Sequence, residues 1–92
     1  MVEMKGGYME ITSNINGNLM IIDFTSFRGD RYFDVAVFEM YVTPDGNDDA
    51  DILVKMNGIG KRELNKIIKR YGFIKQKPKI DRWINKMMKK CH

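Results

Sequence analysis

"RYFDVAVFEMYVT", residues 31–43, is the longest strand candidate in the chain, and it carries apolar side chains on both faces. One face of an extended chain would carry Tyr32, Ala36, Phe38, Met40 and Val42. The other face would carry Phe33, Val35, Val37 and Tyr41. Strands that are covered on both faces have this pattern. We therefore expect the C-terminal helices to cover one face and the other face to be free for a partner.

The residues before this segment predict two more antiparallel strands. Residues 8–12 alternate between apolar and polar side chains, and residues 19–26 do the same, with Met20, Ile22 and Phe24 on one face. Asn16-Gly17 favours a type I′ hairpin turn, because both residues accept a positive φ angle. Further turns are predicted at residues 27–30 and, from Pro44-Asp45-Gly46-Asn47, after the long strand.

Beyond residue 60 the apolar period changes from that of a strand to that of a helix. The first stripe, at i, i+3, i+4 and i+7, consists of Leu64, Ile67, Ile68 and Tyr71. The same spacing recurs at Ile80, Trp83, Ile84 and Met87. Gly72 predicts a helix stop in the left-handed conformation, with Phe73 packing back on the helix. We expect helices over about 61–71 and 79–90, a connector over 74–78, and Trp83 in the core.

These patterns together predict one α+β domain over residues 1–92. An antiparallel sheet of three or four strands would fill residues 6–56, and two basic amphipathic helices would follow it and pack on one of its faces. The segment 51–56 is the open point, since the short apolar run Ile52-Leu53-Val54 fits a strand or a helix.

Charge divides the chain into an acidic and a basic half. Residues 1–52 contain three basic and ten acidic residues, a balance of −7, whereas residues 53–92 contain thirteen basic and two acidic residues, a balance of +11. Such asymmetry points to a polyanionic partner for the basic half, and nucleic acid is the polyanion we predict.

The segment Met56-Asn57-Gly58-Ile59-Gly60 resembles the hairpin of a helix-hairpin-helix DNA-binding motif. In that family a short helix ends in a hydrophobic-x-Gly-hydrophobic-Gly hairpin, and a second helix leaves from it. The resemblance covers residues 49–71 and implies a first helix over about 49–56 and a second over 61–71. The two glycines would let backbone N–H groups face a phosphate at a helix N-terminus.

We therefore predict a non-catalytic nucleic-acid-binding protein that contacts phosphates, with DNA and RNA both open. The predicted contacts are two glycines of the hairpin and nine basic residues that follow. They are Gly58, Gly60, Lys61, Arg62, Lys66, Lys69, Arg70, Lys79, Arg82, Lys86 and Lys89.

Two other functions are also open. The segment 55–60 is similar to the pyrophosphate loop of acyl-CoA-dependent N-acetyltransferases, which reads Gln/Arg-x-x-Gly-x-Gly/Ala. This resemblance implies a strand over 51–56. Against it, too few residues follow for the strands that complete the acyl-CoA cleft in that family. The second alternative is a small protein-binding inhibitor or adaptor. It would act through charge complementarity, or residues 31–43 would add as a strand to another sheet.

Several classes of site and location are not predicted. The chain has one cysteine, Cys91, and one histidine, His92, so neither a disulfide within the chain nor a zinc site is expected. No nucleophile, base and acid occur in a recognisable catalytic trio, and no cofactor is predicted. No apolar run approaches about 18 residues, so a membrane partner is not expected either. An intracellular location fits this cysteine usage.

Overall fold

The computed structural model describes residues 6–27 and 32–88. They form, in chain order, β1 (Gly6–Ile15), β2 (Asn18–Phe27), β3 (Phe33–Val42), β4 (Asp48–Ile59), α1 (Lys61–Arg70), a 3₁₀ turn (Ile74–Gln76) and α2 (Lys77–Met88). The predicted α+β class, with an antiparallel sheet followed by two helices, is confirmed. Residues 28–30 of the second predicted turn, the end of the second helix at 89–90, and with it Lys89, lie outside the described residues.

The sheet is a meander in which each strand pairs antiparallel with the next one in the chain. The first hairpin closes at Asn16 and Gly17, whose φ angles are 54° and 84°, and this confirms the predicted type I′ turn. The predicted turn at 44–47 also forms, with the Gly46 amide donating to the Thr43 carbonyl at 2.9 Å.

Strand addition through residues 31–43 is the part of the adaptor hypothesis that proves wrong. β3 pairs with β2 along one edge and with β4 along the other, so its backbone groups are already used by this sheet. The outer strands of the sheet are β1 and β4. An adaptor built on this chain would have to use an outer strand or a face of the sheet instead of β3.

The helix-hairpin-helix resemblance implies a first helix over residues 49–56. The structure corrects this expectation, because these residues belong to β4. The apolar run from Ile52 to Val54 contains β-branched residues that favour strands, and the long apolar β3 offers it a pairing partner. The register shifts twice along β4, between the partners of Phe33 and Val35 and between those of Val37 and Phe38. These bulges interrupt strict alternation, which is why the sequence alone left the segment ambiguous.

One face of the sheet carries the core. Its buried side chains are Ile11, Met20, Ile22, Phe24, Phe33, Val35, Val37 and Ile59. The residues after the sheet cover them with Leu64, Ile67, Ile68, Phe73, Ile80, Ile84 and Met87. Both predicted helical stripes are therefore confirmed. Trp83 packs against this core cluster, with its ring centroid 5.9 Å from the rings of both Phe24 and Phe33, but it is half-buried and therefore less buried than predicted.

The path of the two helices follows from three contacts. α1 ends in a Schellman motif, in which the Phe73 amide donates to the Ile68 carbonyl at 2.9 Å and Gly72 has a φ of 85°, as the sequence predicts. Gln76 Nε2 then donates to Ser13 Oγ at 3.1 Å, and Met87 at the far end of α2 lies against Gly7. α2 therefore runs back along β1, antiparallel to it, and both helices lie on the same face.

Candidate nucleic-acid interface on the helix layer

The helix layer, which we define as residues 60–88, presents its charged side chains away from the sheet. On α1, Arg62, Lys66 and Lys69 are exposed at i, i+4 and i+7, on the helix side opposite the buried Leu64, Ile67 and Ile68. This spacing places the three basic side chains in one row along the helix. Lys61 and Arg70 are exposed at the two ends of the helix.

α2 repeats the arrangement. Lys79, Arg82 and Lys86 are exposed, while Ile80 and Ile84 on the opposite side are fully buried. Except for Lys89, every basic residue predicted as a contact is thus on the solvent side of the helix layer. The periodicity that identified the core stripe also located these residues, because polar and apolar faces of an amphipathic helix are set by the same period.

The contacts predicted from the sequence do not include two basic residues of the helix layer, Lys75 and Lys77. Lys75 is exposed in the 3₁₀ turn and Lys77 is half-buried at the first position of α2. Residues 74–78 were predicted as a connector, and α2 was predicted to start at residue 79. The 3₁₀ turn instead runs directly into α2, which brings both lysines into the helix layer.

Electrostatically, the helix layer has a large excess of positive charge. It contains ten basic and two acidic residues, a net charge of +8. Both acids already have a lysine partner within their own helix: Glu63 lies 3.5 Å from Lys66, and Asp81 lies 2.8 Å from Lys77. These are the ion pairs found among the described residues, so the remaining basic side chains of the layer are not neutralised by the acidic sheet.

The sheet has the opposite charge. Residues 6–27 and 32–59 contain eight acidic residues and one basic residue, Lys55, a net charge of −7. The division into an acidic and a basic half of the sequence is therefore also a division into two layers of the fold.

The glycine pair does not have the geometry that the helix-hairpin-helix resemblance implies. Gly58 has a φ of 64° at the bulge that ends β4, and its amide donates to the Asp34 carboxylate at 2.9 Å. The Gly58 amide is therefore engaged and a negative charge lies beside it, and both features oppose the predicted role of this amide as a phosphate ligand. Glycine adopts this left-handed conformation without the steric cost of a Cβ atom, so the residue is explained by the bulge.

Gly60 has a different role from Gly58. It is the N-cap of α1, with extended backbone angles (φ −80°, ψ 173°) and no side-chain hydrogen bond to the helix. The amides that open the helix therefore have no capping side chain, and Lys61 and Arg62 follow immediately. A helix N-terminus of this kind favours an anion through its partial positive charge.

The N-acetyltransferase resemblance fits the strand, glycine and helix order of β4, Gly60 and α1. It does not fit further, since residues 61–88 form two helices and a 3₁₀ turn, and none of them forms the strands that complete the acyl-CoA cleft in that family. The engaged Gly58 amide and the adjacent Asp34 also oppose a pyrophosphate at this loop.

Other kinds of site are not seen in the part of the chain that the structure describes. No group of three or more histidine, cysteine, aspartate or glutamate side chains there is arranged to hold a metal ion. None of the described helices has both the length and the apolar character needed to cross a membrane. Comparison of the chain with protein-family models, curated proteins and solved structures gives no match.

Proposed function

We propose that this protein binds nucleic acid through the phosphates, using the solvent side of the helix layer, and that it does so without catalysis. The observation that carries the proposal is the net charge of +8 on a layer whose two acids are both paired within their own helices. A polyanion neutralises such a layer and releases counterions as it binds.

Rows of basic side chains on two helices are suited to the regular spacing of phosphates. Arg62, Lys66 and Lys69 form one row and Lys79, Arg82 and Lys86 form the other. The open N-terminus of α1 adds backbone donors next to Lys61. These groups recognise the backbone of the nucleic acid, so the predicted binding has little dependence on base sequence.

The test is fluorescence anisotropy with a 20-base-pair duplex, DNA in one arm and RNA in the other, over a range of salt concentrations. A plot of log affinity against log salt should have a slope of about −2.7 or steeper, as expected at about −0.9 per phosphate for three or more phosphates contacted. A slope near zero in both arms would refute the proposal.

Two single variants that each remove one positive charge distinguish the helix layer from the sheet. Lys69→Gln should make the slope shallower by about 0.9, the contribution of one phosphate, and weaken binding. Lys55→Gln removes the same charge from the exposed surface of β4 and should leave the slope unchanged. Equal effects of both variants would mean that overall charge, and not this surface, drives binding.

A further inference from the structure

The face of the sheet that the helices leave uncovered carries an apolar patch. We call it the open-face patch; its residues are Leu19, Ile21, Phe38, Met40, Val42, Ala50 and Ile52. Val42 is 67% exposed and Ile52 is 62% exposed, whereas Phe38 and Met40 are half-buried by their neighbours alone. An antiparallel sheet with a solvated face usually places polar residues there, so this patch departs from the expected pattern.

Strand register makes the patch continuous. Leu19 pairs with Met40, and Ile21 pairs with Phe38, across β2 and β3. Phe38 in turn pairs with Ile52, and Met40 with Ala50, across β3 and β4. The Cβ atoms of directly paired residues on one face lie about 4.5–5.5 Å apart, so these side chains form one continuous surface. Contiguous exposed apolar surface is a common feature of interaction sites.

Four acidic groups on the open face, Glu10, Asp23, Asp34 and Asp48, border the patch and outnumber the one basic residue there, Lys55, which pairs with Ala36. Asp48 pairs with Val42 at one end, and Asp23, which follows Ile21 on the same face, pairs with Ala36 at the other. Beyond Asp23 a cleft of about 330 Å³ opens between Tyr8, Asp23, Thr25, Asp34, Lys55 and Asn57. The Asp23 Oδ1 atom is buried and has no hydrogen-bond partner, so it is an acceptor without a donor.

Groups next to Asp23 add to the negative charge at this end of the patch. Burial, together with the nearby Glu10 carboxylate, raises the pKa of Asp23 above its ordinary value, although a contact with the Tyr8 hydroxyl acts in the opposite direction. The Tyr8 hydroxyl donates to Glu10 Oε2 at 2.8 Å, and this bond with the carboxylate is the main reason why the pKa of Tyr8 is also raised. A cation placed at this end of the patch would satisfy groups that now repel each other.

We propose that the open-face patch binds a basic amphipathic helix of a partner protein. The apolar side of such a helix would cover the patch, and its lysine or arginine side chains would reach Asp48 at one end and Asp23 at the other. A helix on the second face would complete a three-layer arrangement of a kind common in α/β folds.

A second copy of this chain fits less well than a basic helix. Two open faces packed together would bring two acidic borders into contact, which like charges disfavour. The helix layer of another copy has the complementary charge, but its solvent side consists mainly of charged and amide side chains, which would leave the apolar residues uncovered.

The proposal is independent of nucleic-acid binding, because it uses the opposite face of the molecule. The test uses the full chain and three labelled probes of equal length: a helical peptide with leucines on one side and lysines flanking them, the same peptide with glutamates for the lysines, and a lysine-rich peptide without leucines. Anisotropy should show the first probe binding at least about tenfold more tightly than the other two.

The matched variants are Val42→Ser with Ile52→Ser on the patch, and Ile74→Ser as the control. Ile74 is 52% exposed in the 3₁₀ turn, on the helix side of the molecule. The Ile74→Ser variant therefore replaces a similarly exposed aliphatic side chain outside the patch. The patch variant should weaken the first probe by about tenfold or more, since two aliphatic contacts are lost. The control should bind like the parent, and circular dichroism should show that both variants are folded.

Three results would overturn the proposal. The first is equal affinity for all three probes, or none at the highest peptide concentration. The second is an unchanged affinity in the folded patch variant. The third is a concentration-dependent dimer in sedimentation experiments that the patch variant no longer forms, because the occupant of the patch would then be a second copy. In each case the salt dependence of duplex binding reports separately on the helix layer.

Discussion

The two faces of the sheet are built from similar side chains but have different surroundings. β3 places Phe33, Val35 and Val37 on the covered face, where all three are buried under the helices, and Phe38, Met40 and Val42 on the open face. The first set stabilises the fold through burial, and the second contributes far less to it because none of the described residues covers it. Apolar composition alone therefore does not separate the core from the exposed face, whereas the position of the helices does.

The largest expected difference between the two faces is in stability, and an isoleucine on each face tests it. Ile22 is fully buried on the covered face and Ile52 is 62% exposed on the open face. Ile22→Ala should lower the free energy of unfolding by about 4 kcal/mol, through lost burial and the cavity left behind. Ile52→Ala should change it by less than about 0.5 kcal/mol, as is usual for surface substitutions.

Urea unfolding followed by circular dichroism measures both values. A comparable loss in the two variants would mean that the open face is covered within the protein itself, which would contradict the distinction between the faces.

Trp83 should give the next largest effect, because it attaches α2 to the covered face through Phe24 and Phe33. Trp83→Ala should cost about 3 kcal/mol, near the lower end for large aromatics since the ring is half-buried. In the parent protein the indole emission should be blue-shifted and unaffected by oligonucleotide. Emission that is red-shifted and quenched by oligonucleotide would instead indicate a base-stacking surface on α2.

Binding variants test whether the two helices contact the same duplex. Arg62→Gln on α1 and Arg82→Gln on α2 should each make the salt slope shallower by about 0.9, and the double variant by about 1.8. If Arg82→Gln leaves the slope unchanged, the interface is restricted to α1 and the N-terminus of that helix. Lys55→Gln serves again as the charge-matched control on the sheet.

The two glycines should differ in stability and not in binding. Gly58→Ala should cost about 1 kcal/mol or more, because its φ of 64° disfavours any residue with a Cβ. Gly60→Ala should cost about 0.5 kcal/mol or less, since its φ is −80° and no atom lies within 4 Å of an added Cβ. Duplex affinity per folded molecule should stay the same for Gly58→Ala; a selective loss of affinity would restore a phosphate role for that glycine.

The smallest effect concerns pH and the open face. The pKa of Asp23 is raised in the folded state, so the folded protein holds that proton more strongly than the unfolded chain does. Its ionisation therefore reduces stability as the pH rises through the interval between the two pKa values. Asp23→Asn should be more stable than the parent at neutral pH, and the gain should disappear below the ordinary range of an aspartate. A gain that does not depend on pH would rule out this electrostatic cause.

The sequence predicts most of this fold because its signals are local. The Asn16-Gly17 turn, the stop at Gly72 and the two helical stripes are each defined within a few residues, and each is found in the structure. The positions of the basic side chains follow from the same helical periods.

What could not be predicted depends on contacts between distant segments. Residues 48–59 are a strand because β3 pairs with them, and two bulges hide their alternation. The bond from the Gly58 amide to Asp34 joins residues 24 positions apart, and it engages the amide that the sequence predicts as a phosphate donor. The continuity of the open-face patch likewise depends on the register of three strands, which no single segment specifies.

The order of the strands has a consequence for how the chain folds. Since every strand pairs with its neighbour in the chain, the sheet assembles by successive hairpin closures and needs no distant segment, a topology associated with rapid folding. During synthesis from the N-terminus, all four strands precede both helices. The nascent sheet therefore exposes apolar side chains on both faces until α1 and α2 emerge, and this interval is when the chain is most prone to aggregate.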